Sequence, residues 1–342
     1  MTPAEAIARL VGGGSLAEDE MAGVMTSLFE GRMTPAQLGA IAVALRMKGE
    51  SVDELTGAAR ALRAHMTRVP GAPPTAIDTC GTGGDGASTL NVSTAAALVV
   101  AAAGVPVAKH GNRAASGTIG GADVLEALGV RLALDPAAAA ACLREIGFAF
   151  LFAPAFHPAL RHAAAPRREL GVRTFFNLLG PLANPAGVRR QVVGVAERRW
   201  VEPLAKVLQR LGVERAWVVH GTVGLDELAL DGPSIVADVT PEAIRLREIV
   251  AADLGLKTAP TAQLRVQSLE DAVARIRSVL AGERGPARDV VCLNAAAALV
   301  VSGTAMDLSE GVAQAAAAID GGAVAALLAR LVAFTGSCRS TA

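Results

Sequence analysis

A unit of strand, glycine loop and apolar helix limits what this chain can fold into. A short apolar approach at 76–78 reads as the end of a strand. It leads into Gly81-Thr82-Gly83-Gly84-Asp85-Gly86, where four of six residues are glycine. Such a loop brings backbone close to a ligand and aims several N–H groups at an anion. Thr89-Leu90-Asn91-Val92-Ser93-Thr94 follows and runs straight into an apolar helix at 95–103. Ser93 or Thr94 is a natural N-cap, which turns the positive end of that helix toward whatever the loop holds. A second apolar strand at 105–108 delivers Lys109-His110-Gly111-Asn112-Arg113, and from Gly86 to Ala122 there is no Asp or Glu. An acid-free segment with two certain cations suits a substrate carrying several phosphates.

The letters Gly81-x-Gly83-x-x-Gly86 also spell a dinucleotide fingerprint. That motif needs a helix beginning inside the loop and an acid about twenty residues on for the ribose, and both are missing. A P-loop is excluded because no Gly-Lys-Ser/Thr follows.

Beyond the loop the pattern keeps alternating. Asp135-Pro136 caps a helix at 137–146, and 148–152, 191–195 and 216–220 read as strands. Residues 235–239 and 245–249 read as edge strands, and closing helices fall at 269–280, 289–301, 309–319 and 323–333. Short apolar strands separated by helices predict an α/β fold with a largely parallel central sheet flanked by helices. Residues 1–70 read as all helix. Met21, Val24, Met25, Leu28 and Phe29 share one face, Thr34-Pro35 starts the next helix, and Ser51 with Glu54 is a capping box. A Pro- and Gly-containing linker at 68–74 ends this small helical domain, which holds no catalytic cluster and reads as a packing or dimerisation module.

Composition removes several function classes. Aromatics are 3% with no Tyr, and Lys+Arg and Asp+Glu balance at 32 each, so neither base stacking nor a basic groove for nucleic acid is supported. Cys80, Cys142, Cys292 and Cys338 show no C-x-x-C spacing and read as reduced thiols. No signal peptide is seen, and the longest apolar run, 95–108, is too short to span a bilayer. The expected location is the cytoplasm, with no membrane partner.

Read together, Asp78-Thr79-Cys80-Gly81-Thr82-Gly83-Gly84-Asp85, Asn91-Val92-Ser93-Thr94, Lys109-His110-Gly111-Asn112-Arg113 and Ala122-Asp123-Val124-Leu125-Glu126-Ala127-Leu128-Gly129 closely resemble the anthranilate phosphoribosyltransferases, the second enzymes of tryptophan synthesis. Residues 174–185 continue the likeness almost letter for letter, and it covers nearly the whole chain. The resemblance implies Mg²⁺-dependent transfer of the 5-phosphoribosyl group from phosphoribosyl pyrophosphate to the amine of anthranilate, releasing pyrophosphate. It also implies a homodimer, about two Mg²⁺ per site, and a helical domain completed by about 168–188. The α/β domain then comprises 75–167 and 189–342.

Such a transfer needs anion stabilisation for the leaving group, a metal to neutralise it, and a pocket holding the nucleophile at the anomeric carbon. The transition state is oxocarbenium-like, so positioning and electrostatics carry most of the work. By resemblance the donor is held by Gly81, Gly84, Asp85, Thr89, Asn91, Val92, Ser93, Thr94, Lys109, His110, Gly111, Asn112, Arg113, Ala114, Ala115, Ser116, Gly117 and Gly121. Ser93 and the adjacent pair Asp226-Glu227 are the implied metal ligands, oxygen donors that suit a hard cation. Gly81, Asn112, Pro154, His157 and Arg167 are implied for anthranilate, with Arg167 as the planar partner of its carboxylate. The catalytic candidates are His110, Asn112 and Arg167, with His110 a possible proton acceptor.

The chain departs from the family pattern in four places. Gly121 replaces a serine that commonly contacts a donor phosphate, and Leu90 replaces an aromatic residue. Pro166 stands before Arg167 where an apolar residue is usual, and Val223 replaces a small or acidic one. Two rival readings are a nucleoside phosphorylase of the same fold and a non-catalytic nucleic-acid-binding relative. The first lacks Asn91-Val92-Ser93-Thr94 and the Asp-Glu pair, and the second calls for a basic groove and loss of Arg167.

Overall fold

The computed structural model describes residues 1–114 and 119–338. Ala115, Ser116 and Gly117, expected at the donor site, lie outside the described residues.

Four helices open the chain: α1 (Pro3–Val11), α2 (Glu18–Phe29), α3 (Pro35–Lys48) and α4 (Val52–His65). Capping boxes start three of them, Thr2 with Glu5, Thr34 with Gln37 and Ser51 with Glu54, each satisfying two amides that would otherwise be orphaned. The apolar faces read from the sequence are buried, with Met21, Val24, Met25, Leu28, Phe29, Leu38, Ile41 and Leu45 at most 5% exposed. They bury against one another, against Phe175, Phe176, Leu178, Leu179 and Leu182, and against one face of the sheet. The chain thus uses those apolar faces internally. Arg63 on α4 joins the parts further, donating to the main-chain oxygens of Leu182 at 2.6 Å and Leu211 at 3.2 Å.

The sheet has seven strands: β1 (Ile77–Gly81), β2 (Val107–Gly111), β3 (Phe148–Phe152), β4 (Arg190–Gly194), β5 (Arg215–Gly221), β6 (Ser234–Val239) and β7 (Ile244–Ile249). Their order is β3-β2-β1-β4-β5-β6-β7. The first five run parallel, and β6 and β7 are antiparallel additions. β6 lies between β5 and β7, so of the two expected edge strands only β7 is an edge. The remaining helices are α5 (Val92–Ala102), α6 (Gly121–Ala127), α7 (Pro136–Ile146), α8 (Ala153–Phe156), α9 (Arg161–Leu170), α10 (Phe176–Leu179), α11 (Val201–Arg210), α12 (Leu269–Leu280), α13 (Pro286–Ser302), α14 (Leu308–Asp320) and α15 (Ala323–Ser337). α5 and α13 pack together over one face of the sheet in the larger core, while α11 and the N-terminal helices cover the other. Among the described residues no single helix is long and apolar enough to cross a membrane; α14 and α15 pass together but meet at a 64° bend and bury Ile319 and Leu331 in the core.

Three local expectations shift. Ile77 and Asp78 begin β1 rather than end it, and the strand runs on to Gly81, paired residue by residue with β4. β2 starts after Pro106, which has no N–H to give to the ladder, so Lys109 and His110 lie inside the strand and are buried. α5 starts at Val92 with Asn91 as N-cap, and the capping carboxylate comes from another part of the chain.

Candidate active site

After β1 the chain crosses to β2 on one side, and β4 sits on the other. The carboxyl ends of β1 and β4 therefore flank the point where strand order reverses, the usual ligand crevice of an open α/β sheet. Gly81 and Gly194 face each other there in register. A side-chain carbon on Gly81 would overlap the Asp226 carboxylate, and one on Gly194 would overlap the Asp226 main chain. Two glycines thus make the recess that receives the loop after β5. From it Asp226 Oδ2 accepts the N–H of Gly83 at 2.8 Å, and Glu227 Oε1 accepts the N–H of Ser93 at 3.1 Å. Glu227 is the true cap of α5, where its charge meets the positive helix end.

Lys109, 3% exposed, points beneath the same helix end. Its ammonium donates to Thr79 O and lies 3.4 Å from Ser93 Oγ. Behind it Asp78, fully buried, accepts from His110 N–H at 3.1 Å and from Asn184 Nδ2 at 2.8 Å. The acid-free segment does not make an acid-free site, in keeping with the carboxylates Asp85, Asp226 and Glu227 expected there. No acid occurs in that stretch of sequence, but the fold brings Asp78, Asp85, Asp226 and Glu227 round it. Burial pushes the carboxyls of Asp226 and Glu227 up, and mutual repulsion with Asp85 pushes them further. Burial pushes the Lys109 ammonium down, with Asp78 opposing.

This donor set fits a divalent cation. Half-buried carboxylates raised by one another are relieved by a positive charge, and every candidate ligand is a hard oxygen. Among the described residues no three His, Cys, Asp or Glu groups converge on a closed cage. Mg²⁺ keeps waters and takes substrate phosphates beside one or two carboxylates.

Along the loop, Asp85 Oδ1 accepts the N–H of Ala87 at 3.1 Å, and Thr89 bridges to Arg265. Asn91 Nδ2 donates to Ile119 O at 2.8 Å, while its Oδ1 is buried without a partner among the described residues. Val92 and Thr94, in the first turn of α5, are buried. Gly111 leaves no room for a side chain, since a Cβ would meet Phe150 at 2.7 Å. Gly121 opens α6, and a Cβ there would lie 2.6 Å from Thr94 Oγ1. Arg113 was expected as a free cation for phosphate. Its guanidinium is instead committed to Asp123 and Glu126, both at 2.8 Å, and Ala114 N–H also points to Asp123.

The acceptor candidates are less tightly gathered. Gly180 O can only accept, so His110 donates to it from Nδ1 at 2.9 Å. His110 Nε2 then accepts from His157 Nε2 at 3.1 Å, leaving His157 Nδ1 buried without a partner among the described residues. Burial pushes the pKa of both rings down, that of His157 to about 3. This corrects the reading of His110 as the open proton acceptor: its one lone pair is already taken. Asn112 is exposed, and its Oδ1 accepts the N–H of Arg113 at 2.8 Å. Pro154 is exposed at the start of α8. Arg167 is half-buried on α9 with its guanidinium 4.9 Å over the Phe176 ring, and Arg168 beside it is exposed. Burial lowers the Arg167 pKa, and its donors meet no acceptor among the described residues.

One residue was missed by the sequence reading. Arg173 Nη2 donates to Thr82 O at 3.0 Å, and the guanidinium fills the space over Gly84. Its only signal is a cation standing just before the family-like segment 174–185.

Residues 73–325 match the glycosyl transferase family a/b domain, and residues 4–66 match the helical bundle domain of the same family. The fold and cleft are thus those of a glycosyl transferase with an N-terminal bundle. An anthranilate phosphoribosyltransferase of Rhodopseudomonas palustris (strain HaA2) is 51% identical over 329 residues, 96% of this chain and 97% of its own. One from Pelotomaculum thermopropionicum is 52% identical over 332 residues, 97% and 96% of the two chains. The crystal structure of the Thermus thermophilus enzyme is 44% identical with a TM-score of 0.92, over 97% of this chain and 99% of that one. The chain belongs to the anthranilate phosphoribosyltransferase family. The Saccharomyces cerevisiae enzyme in complex with PRPP and Mg shares the fold at 24% identity, with a TM-score of 0.90 over 98% of each chain.

Proposed function

We propose that this chain transfers the 5-phosphoribosyl group of phosphoribosyl pyrophosphate to the amine of anthranilate, giving N-(5-phosphoribosyl)anthranilate and pyrophosphate. One observation carries the reading: Asp226 and Glu227 dock onto the glycine loop and the α5 N-terminus at the point where strand order reverses.

The glycine loop and the first amides of α5 bind the donor's phosphates, with Lys109 setting the charge beneath them. The free Asn91 Oδ1 accepts from a ribose hydroxyl. Ser93, Asp226 and Glu227 hold Mg²⁺, two ions per site, which when bound neutralises the leaving pyrophosphate. Gly121 gives a phosphate its N–H where a serine hydroxyl is usual. Arg167 orients the acceptor through its carboxylate, so that the amine faces the anomeric carbon. The His157–His110–Gly180 chain fixes the ring tautomers and leaves His157 Nδ1 as a neutral acceptor in the acceptor region. Residues 168–188 belong with the N-terminal helices, with which they share a core. The helical part also forms the homodimer contact, through surfaces other than the stripes already buried; light scattering at micromolar concentration tests this, and a monomer would refute it.

The direct test is anthranilate fluorescence in the presence of phosphoribosyl pyrophosphate and Mg²⁺. The signal should change only when all three are present. Turnover without the donor, or none with it, would overturn the reading.

A further inference from the structure

Segment 171–174 leaves α9, which carries Arg167, and enters α10, whose Phe176 supports the Arg167 guanidinium. Midway, Arg173 reaches the other way, across to the glycine loop. Nη2 donates to Thr82 O at 3.0 Å, and the guanidinium occupies the space a side chain on Gly84 would fill. Gly84 is doubly determined: its φ of +75° disfavours any L side chain, and the arginine leaves no room for one.

The loop is clamped at neighbouring points from different directions. Thr82 N–H is held by Gly194 O at 2.9 Å, from β4. Gly83 N–H is held by Asp226 at 2.8 Å, from the loop after β5. Thr82 O and Gly84 are held, among the described residues, by Arg173, from the chain that positions Arg167. The first two clamps belong to the donor side of the cleft, and the third ties that side to the acceptor segment. A planar five-donor fork suits such a strap, since one arm can bond a carbonyl while the plane covers a glycine.

We propose that Arg173 is a positioning residue that couples the two substrate sites, holding the loop 81–86 in its donor-binding shape from the acceptor side. An anion seated on Arg167 steadies α9 and segment 171–174, and through Arg173 it steadies the loop. By reciprocity, a donor-site ligand tightens the acceptor site equally. The proposal rests on the donor reading of the glycine loop given above.

Anthranilate and pyrophosphate do not react with each other, so coupling can be read at equilibrium. The anthranilate Kd is measured by fluorescence titration with and without saturating Mg²⁺–pyrophosphate, in the wild type, Arg173→Ala, Arg173→Lys and Arg168→Ala. In the wild type and Arg168→Ala, pyrophosphate should tighten anthranilate by about fivefold or more, the lower end of ordinary coupling. In Arg173→Ala that gain should fall below about twofold, with the anthranilate Kd measured alone kept within about threefold. Arg173→Lys retains charge and bulk but not the fork, and should lose the gain too, which separates strapping from simple electrostatics and serves if the alanine variant folds poorly. Wild-type coupling in both Arg173 variants, or no coupling in the wild type although both ligands bind, would overturn the proposal. Failure of Mg²⁺–pyrophosphate to bind the wild type at all would overturn the donor reading itself, and the proposal with it.

Discussion

Asp226 accepts the N–H of Gly83 at 2.8 Å across 143 positions of sequence. The bond links the loop after β5 to the loop after β1, and Glu227 repeats the link one residue on by capping α5 at Ser93. The same pair is the proposed metal site, so these carboxylates have two tasks that different variants can separate.

Asp226→Asn with Glu227→Gln keeps size and hydrogen-bonding capacity but removes the charge that a cation needs. Turnover should fall by at least about a hundredfold, in line with losing several kcal/mol of charge stabilisation. The melting temperature without metal should hold or rise, because two mutually repelling carboxylates have gone. Kinetics at fixed Mg²⁺ beside a thermal melt decides it. Near-wild-type turnover would place the metal elsewhere.

Arg167→Ala should raise the anthranilate requirement while sparing the donor. Losing a charge-assisted pair to a partly desolvated carboxylate costs about 2–4 kcal/mol, or some tens- to several hundred-fold in kcat/KM for anthranilate. Arg168 is exposed, and Arg168→Ala should change neither substrate's value. An anthranilate kcat/KM within threefold of wild type in Arg167→Ala would show the acceptor pocket to be misplaced.

Gly121→Ser, which restores the residue common in the family, should not improve this enzyme. Its Cβ would lie 2.6 Å from Oγ1 of the buried Thr94. Overpacking of this kind costs about 1–3 kcal/mol. Thermal melts of Gly121→Ser and of Gly121→Ser with Thr94→Ala should show a drop in the first and partial recovery in the second.

His157 gives a pH signature. Its folded pKa, about 3, lies below the usual 6.5. A depressed histidine means that the unfolded chain binds the proton first, so its contribution is full above about 6.5 and lost as pH falls toward 3. Between pH 7 and pH 5 this one ring should cost about 2 kcal/mol of stability. Denaturant midpoints across that range should flatten in His157→Gln, and an unchanged slope would contradict the buried neutral ring.

Much of the fold was legible because it rests on local signals. The capping boxes at Thr34 and Ser51, the Asp135 cap and the five-residue strand Phe148–Phe152 are set by residues within a turn or two of each other. Misreadings arose where distant chain decided the outcome. Ser93 looked like an N-cap because Glu227, 134 positions away, cannot be seen from its neighbours. Arg113 looked like a free cation because its partners Asp123 and Glu126 lie beyond the acid-free stretch. Arg173 carried no signal beyond its place just before segment 174–185, since a strap across a loop has neither period nor motif. Asp226 and Glu227 dock onto the glycine loop and the start of α5, whereas His110 and His157 turn out to be bonded to each other.

The long-range cap on α5 also bears on how the protein matures. Contacts spanning 134 and 143 residues cannot form until the chain beyond β5 has been made and folded back. A nascent chain can build β1, the glycine loop and α5, but the loop stays unclamped and the helix uncapped. Donor binding is therefore acquired late, when the two halves of the sheet close on each other, and during refolding its return should lag the recovery of helical signal.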